Sequence, residues 1–222
     1  MSNQSRPTVQ NVETRMDTLN SMANCQATNN KPHSALVRPS TEDDVPAMLA
    51  IYVHHIQRGV GESDFEPLHI DDIKRRRKNM LKRRLPHLVA EQCGAVVGYA
   101  YAVPFRKRPA YRYAVKHSIY VHADHVHSGI GKLLLPALIE ACAVAGYRQM
   151  IAYIDASNTL SQHLHETFGF TAAGLLKGVG FKYGRWTDSI LMQRALGNGD
   201  MVLPIDNSCA RSSQEQLRGQ VN

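Results

Sequence analysis

The stretch VKHSIYVHADHVHSGIGKLLL, residues 115–135, concentrates the residue types best able to do chemistry. Val115, His117, Ile119 and Val121 alternate as a strand does, and Gly129 and Gly131 stand just before an apolar run with helical spacing. A strand that feeds a helix through glycines is a phosphate cradle. The first N–H groups of the helix lack an intrahelical acceptor, and residues without side chains let a pyrophosphate approach them. This predicts a nucleotide-bearing cofactor, although a glycine pair before a helix is more often only a turn.

Other chemistry-bearing residues read differently. His122, Asp124, His125 and His127 are suitable metal ligands, but their spacing does not gather them on one helical face, and no metal is expected. His163 and His165 are two apart and diverge on a helix. Cys25, Cys93, Cys142 and Cys209 are far apart with no CxxC, so neither a zinc ribbon nor a redox dithiol is indicated; reduced thiols are expected. The formal charge of +7 resides in one segment: KRRRKNMLKRR, residues 74–84, carries +8 and leaves the rest of the chain at −1. Such a run suits nucleic acid, anionic lipid or an acidic partner, and equally a solvated helix face with Ile70, Ile73, Met80, Leu81 and Leu85 beneath it.

Positioning these residues requires a folded core, and 222 residues suffice for one domain with tails. Residues 1–34 are polar and poor in large apolar groups, and read as a disordered arm. They lack the basic start and apolar core of a secretory signal, and no run is long enough to span a membrane, so a cytoplasmic protein is expected. Order is predicted over 35–196, with a polar tail at 197–222. ALVR reads as a strand, and Thr41 as the cap of a helix whose Val45, Met48, Leu49, Tyr52 and Ile56 share one face. A second helix carries the basic run up to Pro86. LVAEQCGAVVGYAYAVPF reads as a hairpin turning at Gln92 to Gly94.

After the opening stretch, its helix continues to Ala145 with Pro136 inside it, then RQMIAYID as a strand and SNTLSQHLHETFGF as a helix closed by Gly169. Two strands follow, and Trp186, the only tryptophan, is expected in the core or in a pocket wall. Helices interspersed among these strands indicate an α/β fold with a mixed sheet. A Rossmann domain is disfavoured: a hairpin precedes the glycine helix, and no strand ending in an acid follows to hold a ribose.

Four motifs stand in order along this region: HSIYV before the loop, SGIGK within it, then LHETFGF, and GFKYGRWTD near the end. On these, residues 35–196 resemble the GNAT superfamily of acyl-CoA-dependent N-acetyltransferases, in its phosphinothricin and methionine sulfone/sulfoximine acetyltransferase branch. The superfamily signature Q/R-x-x-G-x-G/A stands here as Val126-His127-Ser128-Gly129-Ile130-Gly131. The resemblance implies a GNAT fold and direct transfer of an acetyl group from acetyl-CoA to the amine of a small amino-acid-like acceptor, in a homodimer.

By that resemblance, backbone groups of Ile119, Tyr120 and Val121 pair with the pantetheine. The N–H groups of His127, Ser128, Gly129, Ile130, Gly131 and Lys132 hold the pyrophosphate, and Asn158 contacts the cofactor. Pro109, Ala110 and Tyr111, with Lys116, His117 and Ser118, line the acceptor pocket, which Phe65 helps to close. His165 matches a histidine implicated in catalysis, and an imidazole suits a base at neutral pH.

Two positions depart from the family. Lys116 stands where the branch usually has glutamate, and an ammonium is no proton acceptor. Its loss as base corresponds to about a hundredfold to ten-thousandfold in rate if nothing substitutes, while a cation there suits an acidic group on the acceptor. Val126 replaces the Gln or Arg of the signature, which weakens cofactor affinity rather than the fold, since the loop binds through its backbone. The alternative is a catalytically weakened acetyl-CoA-binding or nucleic-acid-associated module that uses residues 74–84.

Overall fold

The computed structural model describes residues 34–57, 69–182 and 184–204. Residues 1–33 of the N-terminal arm and 205–222 of the tail therefore lie outside the described residues, and so do Cys25, Cys209 and Phe65. The strands are β1 (Leu36–Pro39), β2 (His87–Gln92), β3 (Ala95–Pro104), β4 (Ala114–Val121), β5 (Gln149–Asp155), β6 (Thr171–Lys182) and β7 (Arg185–Ala195). The helices are α1 (Val45–Gln57), α2 (Ile70–Lys82), α3 (Ile130–Val144) and α4 (Thr159–Thr167). They occur in the order that the periodicities predict.

All seven strands form one mixed sheet in the order β1-β2-β3-β4-β5-β7-β6. Only β4 and β5 run parallel; the other neighbours are antiparallel. Strand alternation sends successive side chains to opposite faces, so each face needs its own cover. α3 buries Leu134, Leu135, Leu138 and Cys142 against Ala90, Ala100, Ala102 and Met150. α1 buries Val45, Met48, Ile51 and Tyr52 against Val89, Tyr99 and Tyr120 on the other face. Each such leucine contributes roughly 2 kcal/mol relative to exposure.

Small residues on β3 let α3 approach closely. A Cβ on Gly98 would lie 2.9 Å from Ile130 Cγ2 and 3.0 Å from the Tyr120 carbonyl oxygen, so a side chain there would push the start of α3 off the sheet. Pro136 lies inside α3 and has no N–H to give the Lys132 carbonyl. The helix nonetheless keeps Leu134, Leu135 and Leu138 fully buried on either side of it.

Three expectations are corrected. Thr41 does not directly precede α1, which begins at Val45; instead Asp44 reaches back to accept from the Thr41 N–H at 2.6 Å and from its hydroxyl at 3.1 Å. Asp44 also holds Arg38 of β1 through two bonds of 2.8 Å, so this polar corner fastens α1 to the edge of the sheet. Trp186 is not core: it is 70% exposed where the β6–β7 hairpin turns beyond the cover of any described helix, and meets Phe181 edge-on at 5.1 Å. Of the described cysteines, Cys142 is free and buried, but Cys93, at the β2–β3 turn, is disulfide-bonded rather than reduced.

Candidate active site

The parallel pair β4–β5 is joined only at its beginning. Ala114, Val115 and Lys116 pair with Gln149, Met150 and Ile151, and beyond them the two strands carry no further pairing. β4 stays paired with β3 through Val121, and β5 with β7 through Asp155, so the sheet opens into a V at one place. The β4 edge over residues 117–121 thus faces an opening, where an extended ligand can add as a strand would. Ile119, Tyr120 and Val121 all lie on this stretch. On this stretch the Val121 carbonyl also accepts from His55 Nε2 at 2.7 Å.

At the wide end of the V, the chain turns into α3. A short 3₁₀ turn, Ala123–His125, is followed by His127 at φ +65° and Gly129 at φ +88°. Left-handed residues in such a turn direct neighbouring N–H groups to one side, and for histidine this conformation is unfavourable. The helical ladder begins with the Leu133 N–H donating to the Gly129 carbonyl at 3.2 Å, so those of Ile130, Gly131 and Lys132 precede any intrahelical acceptor. The two glycines serve different purposes. Gly129 is required by its positive φ; a Cβ on Gly131 would lie 3.1 Å from Leu164 Cδ2, so it lets α4 pack against α3. Asn158 caps α4 by accepting from the Ser161 N–H at 3.0 Å, which leaves its amide N–H₂ available to a ligand.

On the α1/α2 face, a cleft of about 650 Å³ runs beside the V. Alternation along β4 turns Lys116, Ser118 and Tyr120 into it and sends Val115, His117 and Ile119 to the α3 face. β5 adds Tyr153 and Asp155, β7 adds Thr187 and Ser189, and β6 adds Lys182. Lys116 Nζ lies 5.9 Å from the centre of the Tyr153 ring. Burial alone would raise the Asp155 carboxyl, but the Ser157 hydroxyl at 2.6 Å and N–H at 2.9 Å hold it below its usual value. Pro109, Ala110 and Tyr111 form an exposed 3₁₀ turn and are not among the lining residues.

The basic segment has several separate tasks. Arg76, Asn79, Met80 and Arg83, spaced i, i+3, i+4 and i+7 along and just beyond α2, all line the cleft. Arg77 Nε instead donates to Ser40 Oγ at 2.7 Å, Lys74 pairs with Glu42 at 3.2 Å, and Arg75 with Asp72 at 2.5 Å. Sequence reasoning missed Arg76, Arg83, Tyr153, Asp155 and Lys182 as cleft residues. For β5 a signal existed: Tyr153 and Asp155 are two apart on one strand, as Lys116 and Ser118 are on another.

His165 is placed elsewhere. It is buried in the last turn of α4 and stacks on His117, with ring centres 5.1 Å apart. His165 Nδ1 lies 2.6 Å from the Ser161 carbonyl, which can only accept, so Nδ1 carries the proton and Nε2 is bare. His117 Nε2, 3.3 Å away, therefore donates to it, and His117 Nδ1 is buried without a hydrogen-bond partner among the described residues. Burial lowers the pKa of His165, against a raising contribution from the Ser161 carbonyl. Burial and the neighbouring ring push His117 down to about 3. Both rings are neutral at pH 7, and the basic lone pair of His165 is already engaged. Neither ring lines the cleft.

Comparison with known proteins fits this geometry. Residues 45–170 match the Acetyltransferase (GNAT) family. The chain belongs to the GNAT acetyltransferase family. It is 44% identical over 169 residues to a phosphinothricin N-acetyltransferase of Alcaligenes faecalis, covering 76% of this chain and 86% of that one. To an L-methionine sulfoximine/L-methionine sulfone acetyltransferase of Pseudomonas aeruginosa it is 34% identical over 161 residues, with 72% and 94% covered. Among solved structures, a phosphinothricin acetyltransferase of Sinorhizobium meliloti in complex with acetyl-CoA superposes with a TM-score of 0.75 at 39% identity, covering 78% of this chain and 94% of that one. This GNAT N-acetyltransferase thus falls in the phosphinothricin and methionine sulfoximine acetyltransferase branch. Among the described residues of this acetyltransferase, no helix is long and apolar enough to cross a membrane.

Proposed function

We propose that this acetyltransferase moves the acetyl group of acetyl-CoA to the amine of a small amino-acid-like acceptor of the phosphinothricin or methionine sulfone/sulfoximine type. The observation that carries the reading is the V between β4 and β5, which has the α3 N-terminus at its wide end and the cleft beside it. The chain's own groups suit the cofactor. Unpaired N–H groups at Ile130, Gly131 and Lys132 fit a pyrophosphate, with the helix dipole favouring its charge, and His127 and Ser128 lie in the turn that leads to them. The open edge at Ile119 to Val121 fits the pantetheine amides, and Asn158 stands at the head of α4 with an amide to offer. Acetyl-CoA supplies the activated acyl group, and the cleft orients the amine toward it.

Lys116 and Ser118 act on the acceptor from β4, with Arg76 and Arg83 opposite on the α2 side. These cations suit the acid groups of an amino acid, and Lys116 shifts preference toward acceptors with a second acid group. His165 and His117 support β4 and α4 from behind the cleft rather than taking the acceptor's proton. The test is the acceptor profile of the wild-type chain against Lys116→Glu, with phosphinothricin and L-methionine sulfone as acceptors. The reading expects Lys116→Glu to lower kcat/KM for phosphinothricin relative to the sulfone by at least about tenfold. An unchanged ratio would remove Lys116 from the acceptor site.

A further inference from the structure

The β6–β7 hairpin forms one wall of the cleft, and its pairing is irregular there. Leu176 stands opposite Ser189 and Gly180 opposite Thr187, so Lys177, Gly178 and Val179 all face Asp188 alone. Extra residues on one strand make a bulge, which bends that strand and re-aims its side chains. At its end, Val179 and Gly180 line the cleft. Val179 is 56% exposed, so the backbone of the bulge rather than close packing aims it.

Asp188 holds the bulge in shape. Its Oδ1 accepts from the Gly178 N–H at 2.7 Å, and Gly178 has φ +56°, a conformation that favours glycine. The Asp188 carbonyl accepts from the Ala156 N–H at 2.9 Å, just beyond Asp155 at the end of β5. One residue thus ties the bulge to the strand that borders the V. Asp188 itself is not among the lining residues: Thr187 and Ser189 on either side of it are, and strand neighbours alternate. The Thr187 hydroxyl adds a second fastening by donating to the Gly180 carbonyl at 3.3 Å. A Cβ on Gly180 would lie 2.6 Å from that hydroxyl, which leaves Val179 as the apolar side chain the bulge offers to the cleft.

The floor of the cleft runs across the sheet between two different walls. α2, which packs against β2, brings Arg76 on one side, and β6 is the edge strand on the other. An acceptor held by its acid groups on the α2 side extends its side chain toward β6. We infer that Val179, aimed by the bulge that Asp188 holds, sets the size of acceptor side chain the cleft takes, favouring one that ends in a methyl group. Asp188 is a positioning residue that acts through the bulge. The inference rests on the acetyl transfer proposed above and deepens it.

The experiment compares kcat/KM for L-methionine sulfone and for its S-ethyl homologue, L-ethionine sulfone, at saturating acetyl-CoA. One methylene against an apolar wall changes kcat/KM by about tenfold or more, so the wild type is expected to favour the methyl sulfone by that factor. Val179→Ala is expected to raise the ethyl-to-methyl ratio by about tenfold, and Asp188→Ala to move it in the same direction. Asp188→Asn keeps an oxygen for the Gly178 N–H and is expected to restore the wild-type ratio. The Kd for acetyl-CoA is expected to stay unchanged in all three. Val179 is exposed, so Val179→Ala carries the test even if Asp188→Ala does not fold. A ratio in Val179→Ala equal to that of the wild type overturns the inference. A ratio that moves in Val179→Ala but not in Asp188→Ala, or moves as far in Asp188→Asn as in Asp188→Ala, overturns the positioning role of Asp188. A wild-type chain that acetylates phosphinothricin but neither sulfone also overturns the inference, and all these outcomes leave the proposed function standing. A wild-type chain that acetylates none of the three acceptors ends that function, and this inference with it.

Discussion

Replacing His117 by Phe is expected to remove about one proton from the pH dependence of unfolding. His117 is buried and neutral in the fold, its pKa pushed down from 6.5 to about 3 by burial first and by His165 second. In the unfolded chain it takes up a proton as pH falls through 6.5, while the folded ring refuses one until about 3. Its stabilising contribution is therefore complete above 6.5 and is lost progressively as pH falls between those values. One proton of difference corresponds to about 1.4 kcal/mol per pH unit, so roughly 2 to 3 kcal/mol disappears over the first two units. Against a usual stability of about 5–15 kcal/mol, that is a large share. Urea unfolding of wild type and His117→Phe at several values between pH 6.5 and 4.5 measures it. The absolute stability of the variant also falls, because His165 Nε2 loses its donor; the slope against pH is the informative quantity. His87, pushed down to about 4 by burial first and Arg77 second, remains in both proteins and cancels in the difference. Equal slopes in the two proteins would refute the neutral pair, and with it the argument that the lone pair of His165 is unavailable for catalysis.

Other outcomes follow from the same geometry. Gly98→Ala is expected to lower stability by about 1 to 3 kcal/mol, measured by urea unfolding, because the added methyl meets Ile130 Cγ2 and the Tyr120 carbonyl at 3.0 Å or less. Gly129→Ala forces a Cβ into a φ of +88°, a strain of about 1 to 2 kcal/mol, and is expected to weaken acetyl-CoA binding by about tenfold in calorimetry as the turn before α3 shifts. Arg76→Ala with Arg83→Ala is expected to raise KM for phosphinothricin by about tenfold or more while the Kd for acetyl-CoA is unchanged. Equal losses for acceptor and cofactor would place these arginines outside the acceptor site.

The element order was legible because each element carries a strong local signal, from the 3.6-residue period of α1 to the left-handed Cys93 and Gly94 of the β2–β3 turn. What local signals miss is contact between distant elements. The basic run reads as a charged helix face, and nothing within it separates Arg77, tied to Ser40, from Arg76 and Arg83, which reach the cleft. Likewise, a histidine in LHETFGF reads the same whether it faces a ligand or another histidine; only the register of β4 beneath α4 sets His165 on His117. Trp186 was misplaced because composition favours burial of tryptophan, whereas the hairpin that holds it extends past the covering helices. The V itself is a difference in pairing length between β4 and its two neighbours, and no residue type announces it.

The measurement that bears most directly on the account is thiol release from acetyl-CoA by the wild-type chain, with and without phosphinothricin or L-methionine sulfone, and with the product identified by mass spectrometry. The account predicts release that depends on the amine and yields the N-acetylated acceptor. Acetyl-CoA that binds the chain tightly, with neither acceptor acetylated across the accessible pH range, would contradict it.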